Sequence, residues 1–291
     1  MAILICIISG IFWSLFDVSR KLTLEKISSI SLLIIFSIAQ ILIFFIWVIV
    51  DGFRINIISY LIPGVCLIII SIISALLFLE SIKKSELSLT IPLLSFTPLF
   101  SALLSSFMLK ENLVVTQYFG IVFIVFGATI LYSKKISLTG IYDSIFSIFK
   151  NKSAKYMLCV SFLWSLTPII DKICFKFSSM NFHGLVQAIG IFLVLFCFYK
   201  NSIQKDFQII KKNKLLILIT VVIGTTATIL QFLAIKLTYV SIMESIKRSF
   251  GQILSVVFGS IFFKESISTQ KILGIFVIIT GVLSLLMYSE K

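Results

Sequence analysis

The chain has 291 residues, 59% of them hydrophobic and 13% charged, and its 25 Lys and Arg against 12 Asp and Glu leave a formal net charge of +13. A soluble domain is about 45–50% apolar, so no soluble core of this length hides so much apolar surface, and lipid must solvate part of the chain. In a soluble protein the positive excess would suggest nucleic acid. Here many lysines flank apolar runs, where they meet headgroups or set orientation, so the expected partner is membrane lipid and not nucleic acid.

Ten apolar runs follow one another, at about 2–19, 29–50, 56–79, 87–108, 115–133, 156–174, 182–199, 214–235, 240–262 and 271–288. Each is about long enough to cross ~30 Å of hydrocarbon as a helix. They are continuous and do not alternate, which favours helices over a barrel. The first begins at Ala2 with no basic segment before it and no small-residue cleavage site, so it reads as a spanning helix and not a signal peptide. It carries Trp13, Asp17, Arg20 and Lys21 on one face, a face that in lipid must turn inward or to an interface. Lys21 can snorkel. Asp17 lies deeper on a short side chain, where a protonatable carboxylate would couple proton entry to solute movement.

Further along, Gln40 is the buried amide of the second run, and Pro92 and Pro98 interrupt the helix ladder of the fourth. Such breaks kink a helix or expose carbonyls to a cavity. Gly120 and Gly127 in the fifth run, like Gly274 and Gly281 in the tenth, predict close helix packing within the chain or between protomers. The long connector 134–155 has Ile141, Ile145, Ile148 and Phe149 at helical spacing between lysine pairs. That pattern fits a helix lying in the interface or a solvated linker. The sixth run repeats the first-helix spacing with Trp164, Pro168, Asp171 and Lys172, making Asp171 a second proton-coupling candidate. His183 at the start of the seventh run is expected at the interface, while Gln187 and Gln231 are expected to tie helices together.

The ninth run carries the strongest signal. Ser241, Glu244, Ser245, Arg248, Gln252, Ser255 and Gly259 form a stripe at spacings of three or four, with Lys247 beside it. A charge at the centre of a span costs roughly 2.5–3.5 kcal/mol on the insertion scale. Glu244 reaches Lys247 at i+3 and Arg248 at i+4, the favourable acid-before-base order. One positive charge is left over and requires an anionic partner from the protein or from a solute. Arg248 suits a bidentate carboxylate or phosphate. The candidate substrate-binding set is therefore Glu244, Lys247, Arg248 and Gln252, with Trp13 and Trp164. An anionic or zwitterionic metabolite is expected there, with Glu244 holding the cations or meeting an amino group.

The halves repeat. An offset of 154 pairs Phe78-Leu79 with Phe232-Leu233, Ser95-Phe96 with Ser249-Phe250, Ser101 with Ser255, Lys110-Glu111 with Lys264-Glu265, Gly120 with Gly274 and Gly127 with Gly281. An offset of 151 sets Trp13-Ser14-Leu15 on Trp164-Ser165-Leu166. The expected fold is all-α and polytopic, with repeats at 1–133 and 156–291 around the linker 134–155. A five-helix unit in tandem inverts its second copy, and inverted repeats underlie alternating access.

The starts FWSLFDVSRK and LWSLTPIIDK, the ends MLKENLVVTQYFGIVFIVFGATIL and FFKESISTQKILGIFVIITGVLSLL, and the segment IPLLSFTPLFSALLSS resemble the EamA-type branch of the drug/metabolite transporter superfamily over nearly the whole chain. The resemblance implies ten helices and secondary transport of a small metabolite across a bacterial inner membrane by a monomer or homodimer. It departs in the ninth helix, where Glu244, Lys247 and Arg248 stand in place of Thr90, Leu93 and Leu94. The resemblance also implies both termini inside. The positive-inside rule points the other way, since connectors on one side hold about 16 Lys and Arg and those on the other about 6.

Other classes are weaker. HExxH, GxSxG and GxxxxGK[ST] are absent from the sequence, which leaves an intramembrane enzyme without a motif and a P-loop ATPase excluded. A channel, or a membrane protein without flux, is the remaining alternative. Cys6, Cys66, Cys159, Cys174 and Cys197 are scattered without a CxxC, so neither a disulfide framework nor a metal site is expected, and no cofactor.

Overall fold

The structure, a computed structural model, describes residues 1–84, 91–132, 152–264 and 267–287. These residues are almost entirely helical. The helices are α1 (Ala2–Leu24), α2 (Ser29–Asp51), α3 (Ile57–Lys84), α4 (Thr97–Leu109) preceded by a 3-10 turn (Ile91–Phe96), α5 (Val115–Tyr132), α6 (Lys152–Phe177), α7 (Met180–Lys212), α8 (Lys214–Leu237), α9 (Val240–Phe263) and α10 (Thr269–Leu286). Seven are long and apolar enough to cross a membrane, and Leu93–Leu109 and Val115–Leu131 are shorter apolar helices. The predicted interfacial helix lies, over 134–151, outside the described residues.

Local chemistry sets the boundaries. Ser28 caps α2 by accepting from Ser31 N–H at 3.2 Å, and Ser268 caps α10 by accepting from Lys271 N–H at 3.3 Å, the usual role of a serine preceding a helix. The fourth span is interrupted where its prolines lead one to expect. Pro92 and Pro98 each remove a donor, and the chain winds as a 3-10 turn until Thr97, where Pro98 falls in the first turn of α4. The seventh span overruns its predicted end. Tyr199 leaves the helical region (φ −132, ψ 20), and a second helical stretch continues to Lys212. Residues 200–212, expected to be a connector, are polar but free of Pro and Gly, so nothing stops the helix from resuming.

The turns after α4 and α9 match. Lys110 (φ 58) and Lys264 (φ 53) both adopt the left-handed conformation, and their N–H groups bond back to Ser105 O and Gly259 O. These positions are equivalent at the 154-residue offset. Glu265 lies outside the described residues.

The helices gather into two compact units, each drawing on both halves of the sequence. Unit 1 comprises Met1–Ile72 and Ile170–Lys236; unit 2 comprises Ile73–Ile169 and Leu237–Lys291. In unit 1, Phe44, Leu185 and Phe232 form a buried cluster. Thr23 and Thr220 share a buried hydrogen bond at 2.9 Å between α1 and α8. In unit 2, α5 and α10 pack through glycines. A Cβ on Gly120 would lie 2.7 Å from Gly281 O, and one on Gly127 would lie 2.8 Å from Gly274 O. The contact therefore falls within one chain, not between protomers, because the missing side chains let two backbones of the same molecule touch. It also runs Gly120 to Gly281 and Gly127 to Gly274, so α5 and α10 are antiparallel.

Candidate functional site

The charged cluster of unit 2 sits on α9. Its first residue, Val240, donates its backbone N–H to Glu111 Oε2 at 2.8 Å. Tyr239 at the N-cap offers no side-chain bond, so the buried Glu111 carboxylate performs the capping from the turn after α4, where it also faces the positive end of the helix dipole. In the sequence Glu111 stands out only as part of the Lys110-Glu111 pair that recurs as Lys264-Glu265, which assigns it no role.

The serines of α9 turn their hydroxyls onto their own helix. Ser245 Oγ donates to Ser241 O and Ser249 Oγ to Ser245 O, each at 2.7 Å. The ionic groups are less settled. Glu244 is fully buried. Lys247 Nζ donates to Glu244 Oε1. Arg248 Nε lies 3.7 Å from Glu244 Oε2, outside hydrogen-bond reach. Both atoms are buried and without a hydrogen-bond partner among the described residues, as is Gln252 Oε1. The Arg248 guanidinium carbon sits 5.3 Å from the centroid of the Trp164 ring, a cation–π distance. Trp164 itself rests against Phe78, with ring centroids 5.2 Å apart.

The structure thus brings Glu244, Lys247, Arg248 and Trp164 together, with Gln252 one turn further along α9. The predicted stripe does not continue intact: Ser255 is exposed and turns its hydroxyl to Gln252 O at 2.7 Å. Thr90, the counterpart of Glu244 in the fourth span, lies outside the described residues.

Trp13, Asp17 and Asp171 belong to unit 1. Trp13 meets Phe16 edge-on at 5.7 Å. Asp17 is exposed and pairs with Arg20 at 2.7 Å, so these two first-helix charges close on each other. Asp171 is buried, and its Oδ1 lies 2.9 Å from His183 Nε2. His183 is not interfacial. It is completely buried, because the chain reverses between α6 and α7 and folds its ring onto Asp171. Its Nδ1 lies 2.8 Å from Tyr60 Oη. Tyr60 carried no signal in the sequence, since only the fold places α3 beside α7.

Outside the spans, Asp206 of the helical stretch after Tyr199 accepts from Ser28 N–H at 2.8 Å. Partial burial would raise its pKa, but hydrogen bonds from Ser28 and Ser31 outweigh that and hold the carboxyl below its ordinary value.

Comparison with known proteins adds a family. The sequence pattern of the EamA-like transporter family matches residues 1–133 and 151–287. Among curated proteins, none matches the chain in sequence. A solved crystal structure, titled only as that of a protein, superposes with a TM-score of 0.73 at 11% identity, covering 99% of this chain and 97% of that one. At that identity the likeness shows a shared fold.

Proposed function

Because the chain belongs to the EamA-like transporter family, and is therefore a multi-pass membrane transporter of the drug/metabolite type, we propose that it moves a small anionic or zwitterionic metabolite by secondary, alternating-access transport across a bacterial inner membrane. The observation that carries this reading is the incomplete ion cluster of α9. Lys247 and Arg248 both approach the buried Glu244 carboxylate. Arg248 Nε and Glu244 Oε2 stand apart without hydrogen bonds among the described residues.

Leaving such atoms without hydrogen bonds in a low-dielectric span is costly. A carboxylate or phosphate bound at Arg248 supplies a negative charge and two acceptor oxygens. Trp164 holds the guanidinium plane from one side. Glu244 keeps Lys247 in place and offers Oε2 to an amino group of a zwitterion. The antiparallel packing of α5 on α10, last helices of the two halves, supports the inverted repeat on which alternating access rests.

Uptake into vesicles containing the protein, with a panel of anionic and zwitterionic metabolites, tests the class of function. Saturable, gradient-driven uptake is the expected result. Flux that does not saturate would instead mark a channel, and chemical conversion of the solute would mark an enzyme.

A further inference from the structure

We propose that Asp171, His183, Tyr60 and Gln187 form a proton-binding site buried in unit 1, through which solute movement is coupled to protons. The coupling rests on the transport reading above, whereas the proton site itself does not. His183 is fully buried, with the rings of Phe175 and Phe232 at 5.2 and 5.5 Å. Its two nitrogens are both engaged, Nε2 with Asp171 Oδ1 at 2.9 Å and Nδ1 with Tyr60 Oη at 2.8 Å. Gln187 Nε2 donates to Tyr60 Oη at 3.3 Å and to Gly64 O at 3.0 Å.

An ionised carboxylate only accepts, so Asp171 fixes the neutral ring with its proton on Nε2. Nδ1 is then an acceptor, and Tyr60 Oη–H donates to it. One atom in this arrangement is left over: Gln187 Oε1 is buried without a hydrogen-bond partner among the described residues.

That unused acceptor is what a second protonation state needs. A proton added to the Nδ1 lone pair makes the ring an imidazolium, neutralised by the Asp171 carboxylate beside it. Tyr60 Oη then accepts from Nδ1–H and must send its own proton elsewhere. A half-turn of the Gln187 amide gives up the Nε2 bond to Gly64 O and exchanges Nε2 for Oε1 opposite Tyr60, so that Oε1 accepts from the Tyr60 hydroxyl. The two states differ by one proton and by the orientation of a hydroxyl and an amide. Imidazole is the side chain whose ordinary titration falls between about pH 5 and 8. Of the other titratable groups on the elements around it, Cys174 on α6 interacts electrostatically with Asp171, with Tyr60 and with Cys66 on α3; α2 and α8 bring the aromatic rings of Phe44 and Phe232 to the same cluster. Asp17 serves less well, being exposed and already paired with Arg20.

His183 is the single histidine of the chain, so nitrogen NMR on protein labelled at histidine and held in lipid nanodiscs reads this ring alone. The expected spectrum is a neutral ring protonated on Nε2 near pH 8 that becomes doubly protonated as pH falls toward about 5. Asp171→Asn removes the carboxylate that neutralises the imidazolium and should change the pH response of this spectrum. A ring that stays neutral across that range in the unaltered protein, or a midpoint unmoved by Asp171→Asn, overturns the proton site. Solute flux with the same pH response in Asp171→Asn as in the unaltered protein overturns the coupling. Absence of any flux counts against transport itself, and the spectrum still decides the proton site.

Discussion

Arg248 holds its guanidinium carbon 5.3 Å from the centre of the Trp164 ring while its Nε stops 3.7 Å short of Glu244 Oε2. The cation is thus steered by an aromatic face and left incompletely satisfied by its acid. A desolvated cation–π contact is worth about 2 kcal/mol. Trp164→Leu should therefore weaken apparent solute affinity by about tenfold or more, and Trp164→Phe by less. Initial uptake rates over a solute concentration series read the difference.

Glu111 caps α9 through the Val240 N–H. Losing such a cap costs about 1–2 kcal/mol. Glu111→Ala should lower the thermal unfolding midpoint of the detergent-solubilised protein. Glu111→Gln keeps an acceptor oxygen and should recover most of the loss. Equal losses in the two variants would show that the hydrogen bond is not what matters there.

Gly127 and Gly274 let α5 and α10 touch. A Cβ on Gly127 would lie 2.8 Å from both Gly274 O and Ile278 N, and backbone atoms have little room to yield. Overpacking of this kind costs about 1–3 kcal/mol. Gly127→Ala should lower the unfolding midpoint, and Gly127→Leu should lower it further or prevent folding.

Asp206 ties residues 200–212 to the start of α2 through Ser28. Its pKa is depressed in the folded state. Its contribution is therefore complete above the unfolded carboxylate value of about 3.9 and is lost as pH falls through the lower folded value. The protection of the Ser28 amide, its exchange measured against the intrinsic rate at each pH, should fall on acidification through that window. Asp206→Asn should remove the pH dependence; an unchanged profile in that variant would contradict the assignment.

Composition and continuous apolar runs make the helical membrane fold readable from the sequence. So do the charges of the ninth helix, because Glu244, Lys247 and Arg248 interact at local spacings along one helix. The 154-residue repeat was equally visible and reappears in the left-handed turns at Lys110 and Lys264. What stayed hidden depends on long-range placement. His183 and Tyr60 lie 123 positions apart, and no periodicity links them. Asp17 and Asp171 stood as equals in sequence, yet the first is exposed beside Arg20 and the second is buried beside His183. The second stretch of α7 was missed because its polar composition resembles a connector, although nothing in it breaks a helix.

The central claim is that Arg248 completes its ion cluster with the negative charge of the transported solute. The most direct measurement is saturable, gradient-driven uptake of an anionic or zwitterionic metabolite into vesicles carrying either the unaltered protein or Arg248→Ala at equal membrane abundance. Uptake should be abolished in Arg248→Ala. Undiminished uptake in that variant would contradict the account.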